Sequence, residues 1–130
     1  MIIDTTVFAY ALLHVEGKYD QAIAALASTD QIVVPDSLFA ELGNVVWQWI
    51  EFQQLPLPTG LDTMRDAESL IDWVIPSSQI RDAALELAVI ADHPFYDTLF
   101  IAAAIQIDTK VLTFDRKLAN KFSDRVILLT

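Results

Sequence analysis

Apolar positions along this chain fall into short blocks whose internal spacing switches between that of strands and that of helices. Residues 1–4 begin as a continuous apolar run, Met1-Ile2-Ile3, and end on a carboxylate, Asp4. They read as a short buried strand. Residues 5–15 place Val7, Phe8, Ala11 and Leu12 at i, i+1, i+4 and i+5, which predicts a helix. A second helix is predicted over 18–27, stopped by Ser28-Thr29-Asp30. Ile32-Val33-Val34 reads as a second strand closed by Pro35, after which Asp36 or Ser37 can cap a long helix reaching about Gln53. Leu55-Pro56-Leu57-Pro58-Thr59-Gly60 is expected to break it, with a fourth helix over 61–71. Trp73-Val74-Ile75 is a third strand, closed by Pro76, and Ser77 or Ser78 caps a helix through Ala91. After Asp92-His93-Pro94 a further helix runs from Phe95 or Tyr96 to about Ile107. A strand at 110–113, a short helix at 115–121 and a strand at 126–129 complete the pattern.

Short Val- and Ile-rich strands alternating with helices argue an α/β sandwich around a mainly parallel sheet of about five strands, covered on both faces. All 130 residues fit one domain, and that length can bury a core without staples. In such sheets, sites form beyond the carboxyl ends of the strands. Asp4 and Asp115 both fall on that edge.

Composition narrows the function classes. An apolar fraction of 54% excludes a disordered chain. It also suits a protein that buries a protein–protein interface. The longest apolar runs are seven residues, at 7–13 and 99–105, against the roughly 18 of a membrane span. No membrane association is expected, and the opening Met-Ile-Ile-Asp is not expected to be a signal peptide. With no cysteine, disulfides and thiolate metal sites are excluded, and a reducing cytoplasm is the expected compartment. No dinucleotide cofactor is expected. The net charge of −10 opposes nucleic acid in bulk. Residues 110–125 run the other way, with five bases (Lys110, Arg116, Lys117, Lys121, Arg125) against two acids. That segment is either a solvated helix face or a path for a polyanion.

Four acids stand in apolar or strand-end settings. Asp4 ends the first strand, and a carboxylate there is costly unless capped, hydrogen-bonded or bound to metal. Glu41 is the only charge between Asp36 and Glu51; it shares a polar stripe with Asn44 and Gln48. Asp97 stands in the first turn of a strongly apolar helix, where the macrodipole favours it. Asp115 opens the last short helix, where it can cap. Each has a local explanation. Together, four carboxylates and no thiol suit a hard cation such as Mg²⁺ or Mn²⁺, which activates water for phosphodiester hydrolysis. His14 and His93 read as structural. On the long helix, Phe39, Leu42, Val45, Val46, Trp47, Trp49, Ile50 and Phe52 leave few polar faces, consistent with core packing or a homodimer seam.

Four motifs in order resemble a PIN domain of the sort found in VapC-type toxins: Ile2-Ile3-Asp4-Thr5-Thr6-Val7, Val33-Val34-Pro35 with Glu41 and Asn44, the helix from His93 to Ala104 carrying Tyr96-Asp97, and Thr113-Phe114-Asp115-Arg116-Lys117-Leu118. The resemblance covers essentially the whole chain. It implies a three-layer α/β/α fold and an Mg²⁺- or Mn²⁺-dependent endoribonuclease. The metal acids would be Asp4, Glu41, Asp97 and Asp115, with Thr6 or Thr113 supporting them. It also implies a homodimer and a small antitoxin partner. Arg116 and Lys117 are the expected RNA contacts. Thr98, where the family often has a smaller residue, and the acidic charge are departures. Two other readings stand beside it: a catalytically silent protein- or RNA-binding module on the same fold, and a haloacid-dehalogenase-like phosphatase. The phosphatase reading needs a second acid two residues after Asp4, where Thr6 stands.

Overall fold

The computed structural model describes residues 1–130. Five short strands form one sheet: β1 (Ile2–Ile3), β2 (Val33–Pro35), β3 (Trp73–Ile75), β4 (Val111–Thr113) and β5 (Val126–Leu128). They lie in the order β3-β2-β1-β4-β5, and every pairing is parallel. Ile2 pairs with Val33 on one side and with Val111 on the other. The chain builds outward from β1 to β2 and β3, then crosses back to add β4 and β5 on the opposite flank. The direction of winding reverses between β1 and β4, and a crevice opens there at the carboxyl ends of the strands.

Seven helices cover the sheet: α1 (Thr5–Leu12), α2 (Tyr19–Ser28), α3 (Ser37–Gln53), α4 (Leu57–Leu70), α5 (Ser77–Ala91), α6 (Phe95–Gln106) and α7 (Arg116–Lys121). α6 lies across β1, β2 and β4, with α5 packed outside it. α1 packs on β4 and against α2, α3 and α4, forming the other layer. This is the α/β/α arrangement. Residues of β1, β2 and β4 are buried on both faces, including Ile2, Ile3, Val33, Val34 and Val111. The edge strands are not: Trp73 of β3 is 51% exposed and Ile127 of β5 is 36% exposed. Two covered faces therefore describe the three central strands, and the edges keep one side in water. No single helix is long and apolar enough to cross a membrane.

Three local expectations need correction. The segment 55–60 does not stay out of helix: α4 begins at Leu57, with Pro58 in its first turn. Proline is tolerated there because the first amides of a helix have no intrahelical partner. Gly60 then lies where a Cβ would stand 2.9 Å from Ile50 Cδ1 and 3.0 Å from Val46 Cγ1. Its glycine is a packing requirement between α3 and α4. Secondly, the expected side-chain caps are not made: at α3 Asp36 makes no capping bond and Ser37 Oγ is buried without a partner, and α5 starts behind Pro76 with no capping bond from Ser77 or Ser78. The Asp36 carboxylate instead accepts from Ser77 N at 3.0 Å, tying the end of β2 to the start of α5. Thirdly, α1 stops at Leu12, and His14 takes a left-handed conformation with φ 53°.

Candidate active site

Asp4 is the fixed point of the crevice. It leaves β1 as the N-cap of α1, and its Oδ1 accepts from Thr5 N at 2.8 Å. Its Oδ2 accepts from Thr6 Oγ1 at 3.0 Å and from Thr113 Oγ1 at the end of β4. Capping and site membership are thus not alternatives, because each oxygen has its own task. The carboxylate is only 8% exposed. Burial raises its pKa; three hydrogen bonds pull down against that, and nearby Asp97 pushes up again.

The threonines join three of the four motifs, those carrying Asp4, Glu41 and Asp115. Thr113 Oγ1 accepts from Asp115 N at 2.9 Å, and Thr6 Oγ1 accepts from Phe114 N at 3.2 Å. Thr5 Oγ1 donates to Glu41 Oε2 at 2.6 Å, fixing the second turn of α3 to the first turn of α1. Burial lifts the Glu41 pKa to about 7, against the Thr5 bond and with added repulsion from Asp4 and Asp97. Asp97 sits in the first turn of α6, with Oδ2 2.9 Å from His93 Nε2. The His93 side chain is 6% exposed and packs edge-on to Phe122. Asp115 caps α7, its Oδ1 accepting from Lys117 N at 2.9 Å and Leu118 N at 3.2 Å.

One pattern recurs in the three outer acids. Each has one oxygen engaged by the protein, and the other (Glu41 Oε1, Asp97 Oδ1, Asp115 Oδ2) takes no hydrogen bond. None of these free oxygens is sealed in the interior, where Ser37 Oγ is the one unpartnered side-chain atom. Asp4, Glu41, Asp97 and Asp115 all line a single cleft of about 400 Å³, and no lysine, arginine or histidine lines it with them. The donor set is all oxygen, anionic and without a cation of its own, which fits a hard divalent ion. The carboxylates are not drawn into a closed cluster: no three come close enough to hold one ion as the side chains stand. An ion held by three of them would need these side chains to rotate closer together.

The sequence profile of the PIN domain matches residues 1–122. The chain belongs to the PIN-domain family. PIN domains as a family are generally nucleases. No curated protein matches the sequence. Among solved structures, this PIN domain is similar to PAE2754 from Pyrobaculum aerophilum, with 18% identity and a TM-score of 0.75 over 96% of this chain and 81% of that one. It is also similar to VapC20 of Mycobacterium tuberculosis, a sarcin-ricin loop cleaving toxin, with 14% identity and a TM-score of 0.74 over 92% of each chain. A third is VapBC2 of Rickettsia felis, solved with a DNA fragment from its promoter, at 14% identity and a TM-score of 0.67 over 99% of this chain and 98% of that one. At these identities the likeness is one of fold.

Other residues of this PIN domain divide between site and scaffold. Lys117 lines a second cleft beside Asp97 and Asp115, in company with Asn120 and Lys121. Arg116 is exposed but does not line that cleft. Arg125 pairs with Asp108 at 3.1 Å and bonds Thr109 O, so part of the basic segment is scaffold. Thr98 is fully buried and donates to Ala84 O at 2.8 Å, pinning α6 to α5. That bond accounts for a hydroxyl at a position where a smaller residue was expected. Sequence reasoning missed Thr5, whose partner lies 36 residues away, and the tie from His93 to Asp97. A histidine four residues before an acid across a helix start was the available signal for the second.

Proposed function

We propose that this PIN domain is a metal-dependent endoribonuclease that acts as the toxin of a type II toxin–antitoxin pair in the cytoplasm. The observation that carries the reading is the cleft at the β1–β4 crevice, lined by Asp4, Glu41, Asp97 and Asp115 and by no cationic side chain. Asp4, Glu41, Asp97 and Asp115 would hold Mg²⁺ or Mn²⁺, which on binding lowers the pKa of water and offsets charge developing on the phosphate. Thr6 and Thr113 orient Asp4 and favour its ionised form against the burial that raises its pKa. Thr5 orients Glu41, whose burial still lifts its pKa to about 7. Asp97, turned by His93 on one oxygen, presents the other to accept a proton from the attacking water. Asp115 spends one oxygen on the α7 amides and keeps the other for the cleft.

Partners follow from charge and exposure. The fold likeness to a VapBC complex supports a small antitoxin, and an acidic body favours a basic one. On α3, Leu42 and Val46 are core residues, whereas Trp47 and Phe52 are 52% and 68% exposed and stack edge-on. With Leu57 and Leu61 of α4 they form the apolar surface assigned to a homodimer seam. Light scattering tests it: a dimer that Trp47→Asp splits supports the seam, and a monomeric wild type removes it.

A silent binding module is the second reading, favoured by the absence of a preassembled ion cluster. Membership of the PIN family leaves the phosphatase reading without support. Incubating RNA with the protein and Mn²⁺ or Mg²⁺, beside Asp4→Ala and beside chelator, decides between enzyme and module. Cleavage by the wild type alone, lost in chelator, is expected. Equal cleavage by Asp4→Ala would overturn the nuclease reading. Metal that binds only the folded state should also raise the melting temperature, by an amount equivalent to about 2.7 kcal/mol at a hundredfold excess over its dissociation constant.

A further inference from the structure

The acidic cleft is the middle of three that share walls. Towards α3 it gives Glu41 and Asn44 to a neighbouring cleft of about 320 Å³ that also includes Tyr96. Towards α7 it gives Asp97 and Asp115 to one of about 510 Å³ that includes Lys117, Asn120 and Lys121. The three adjoin through these shared residues, with the acids at the centre and unlike ends. At one end Tyr96 stands 62% exposed, with only the edge of Phe95 against its ring. Nothing in the core requires an aromatic there. Asn44, one helical turn beyond Glu41, is exposed beside it and offers both a donor and an acceptor. At the other end Lys117 is exposed, and Lys121 donates one of its three protons to Ala91 O at 2.7 Å, which holds its ammonium over the cleft with two protons to spare. An aromatic face with an amide reads a base; ammonium groups with an amide hold phosphate.

We propose that Tyr96 and Asn44 form a base-recognition subsite on one side of the acidic centre, and that Lys117, Asn120 and Lys121 seat the backbone phosphate of the nucleotide on the other. Base preference is then set at a single flanking position, next to Tyr96. The opposite flank is held without regard to sequence. The assignment rests on the nuclease reading for its substrate, but its two ends can be read by binding alone.

The test measures binding of short homopolymeric RNA strands of each base by fluorescence anisotropy, in chelator and over a salt series, and separately maps the cleavage sites in total RNA with Mn²⁺. Loss of base stacking in Tyr96→Ala should weaken binding at least about fivefold, and Tyr96→Phe should restore it. Asn44→Ala should narrow the differences among the four homopolymers and blur the base found at one side of the cut. Lys117→Ala should leave base preference alone and lower the slope of log affinity against log salt by about 0.7, the value for one phosphate contact on a single strand. Lys117→Gln should match it. Unchanged affinity and unchanged cut-site preference in both Tyr96→Ala and Asn44→Ala, with melting temperatures intact, would overturn the base subsite. An unchanged salt slope in Lys117→Ala would overturn the phosphate seat. A wild type that cuts no RNA while these binding changes hold would remove the nuclease reading and leave the subsites. RNA cleavage with no binding change in any variant would do the reverse.

Discussion

The inner and outer halves of the acidic cleft are built on opposite plans. Asp4 is nearly buried, both of its oxygens are taken by hydrogen bonds, and its donors come from two parallel strands' ends. Asp97 and Asp115 stand at helix starts, each tethered by one oxygen, with the other free. A carboxylate held by three donors, with one lone pair left on Oδ1, keeps its position when an ion arrives. A carboxylate tethered at one oxygen can turn. The crevice sets one carboxylate held at both oxygens, the anchor, beside arms held at a single oxygen, and the four share a cleft without forming a closed ligand cluster.

The contrast is broken most sharply by removing one member of each class. Asp97→Ala should cost about 10²–10⁴ in cleavage, the range for loss of a positioned proton acceptor. Its metal-free melting temperature should hold or rise, because Asp97 raises the pKa values of both Asp4 and Glu41. Asp4→Ala should lose cleavage as fully and also destabilise the fold by about 1–3 kcal/mol, since Thr6, Thr113 and the Thr5 amide of α1 lose their acceptor. Urea titration of the two variants checks this, and equal stability losses would abolish the distinction between anchor and arm.

Thr113→Val probes the anchor without touching a carboxylate. Removing its hydroxyl strips a donor from Asp4 and an acceptor from Asp115 N. Metal affinity read by calorimetry should fall about 10- to 100-fold, the effect of losing an outer-shell partner. His93→Phe probes an arm by the same readout. It should keep the packing on Phe122, lower metal affinity by about tenfold, and leave the melting curve near that of the wild type.

The smallest effect is on pH dependence in chelator. Glu41 in the folded protein has a pKa raised to about 7 from 4.5. The folded state therefore binds more protons than the unfolded one between those values. Its contribution to stability is fully present below 4.5 and is lost as pH rises through about 7. Asp4 acts in the same direction. The metal-free melting temperature should fall between pH 5 and 8, and Glu41→Gln should flatten that fall. A wild-type melting temperature that rose across this range would contradict the crowding of charge in the cleft.

The alternation of elements was legible because burial imposes it. Strands covered on two faces must be short and apolar, and helices between them must be periodic. The acids that line the cleft could be picked out for a related reason: charge is rare in such segments, so Asp4 and Glu41 stand out. Legibility ended where a residue's partner is distant in the chain. Thr5 gives no local sign that it will meet Glu41, and Asp36 looks like a helix cap until β2 and β3 bring Ser77 beside it. Gly60 looks like a breaker because a sequence shows its flexibility and hides the side chains of Val46 and Ile50 that crowd it. For Asp4 and Asp115, local and distant roles coincide, so neither role could be told from the other by motif alone.

The bond from Thr113 to Asp4 spans 109 residues. During synthesis, the first of these residues leaves the ribosome long before the second exists. A nascent chain therefore has only the neighbouring Thr5 and Thr6 to hold Asp4 for most of its translation, and the crevice forms only when β4 slots in beside β1. The cleft of a chain built this way is complete only after Thr113 has emerged, however early its first acid was made.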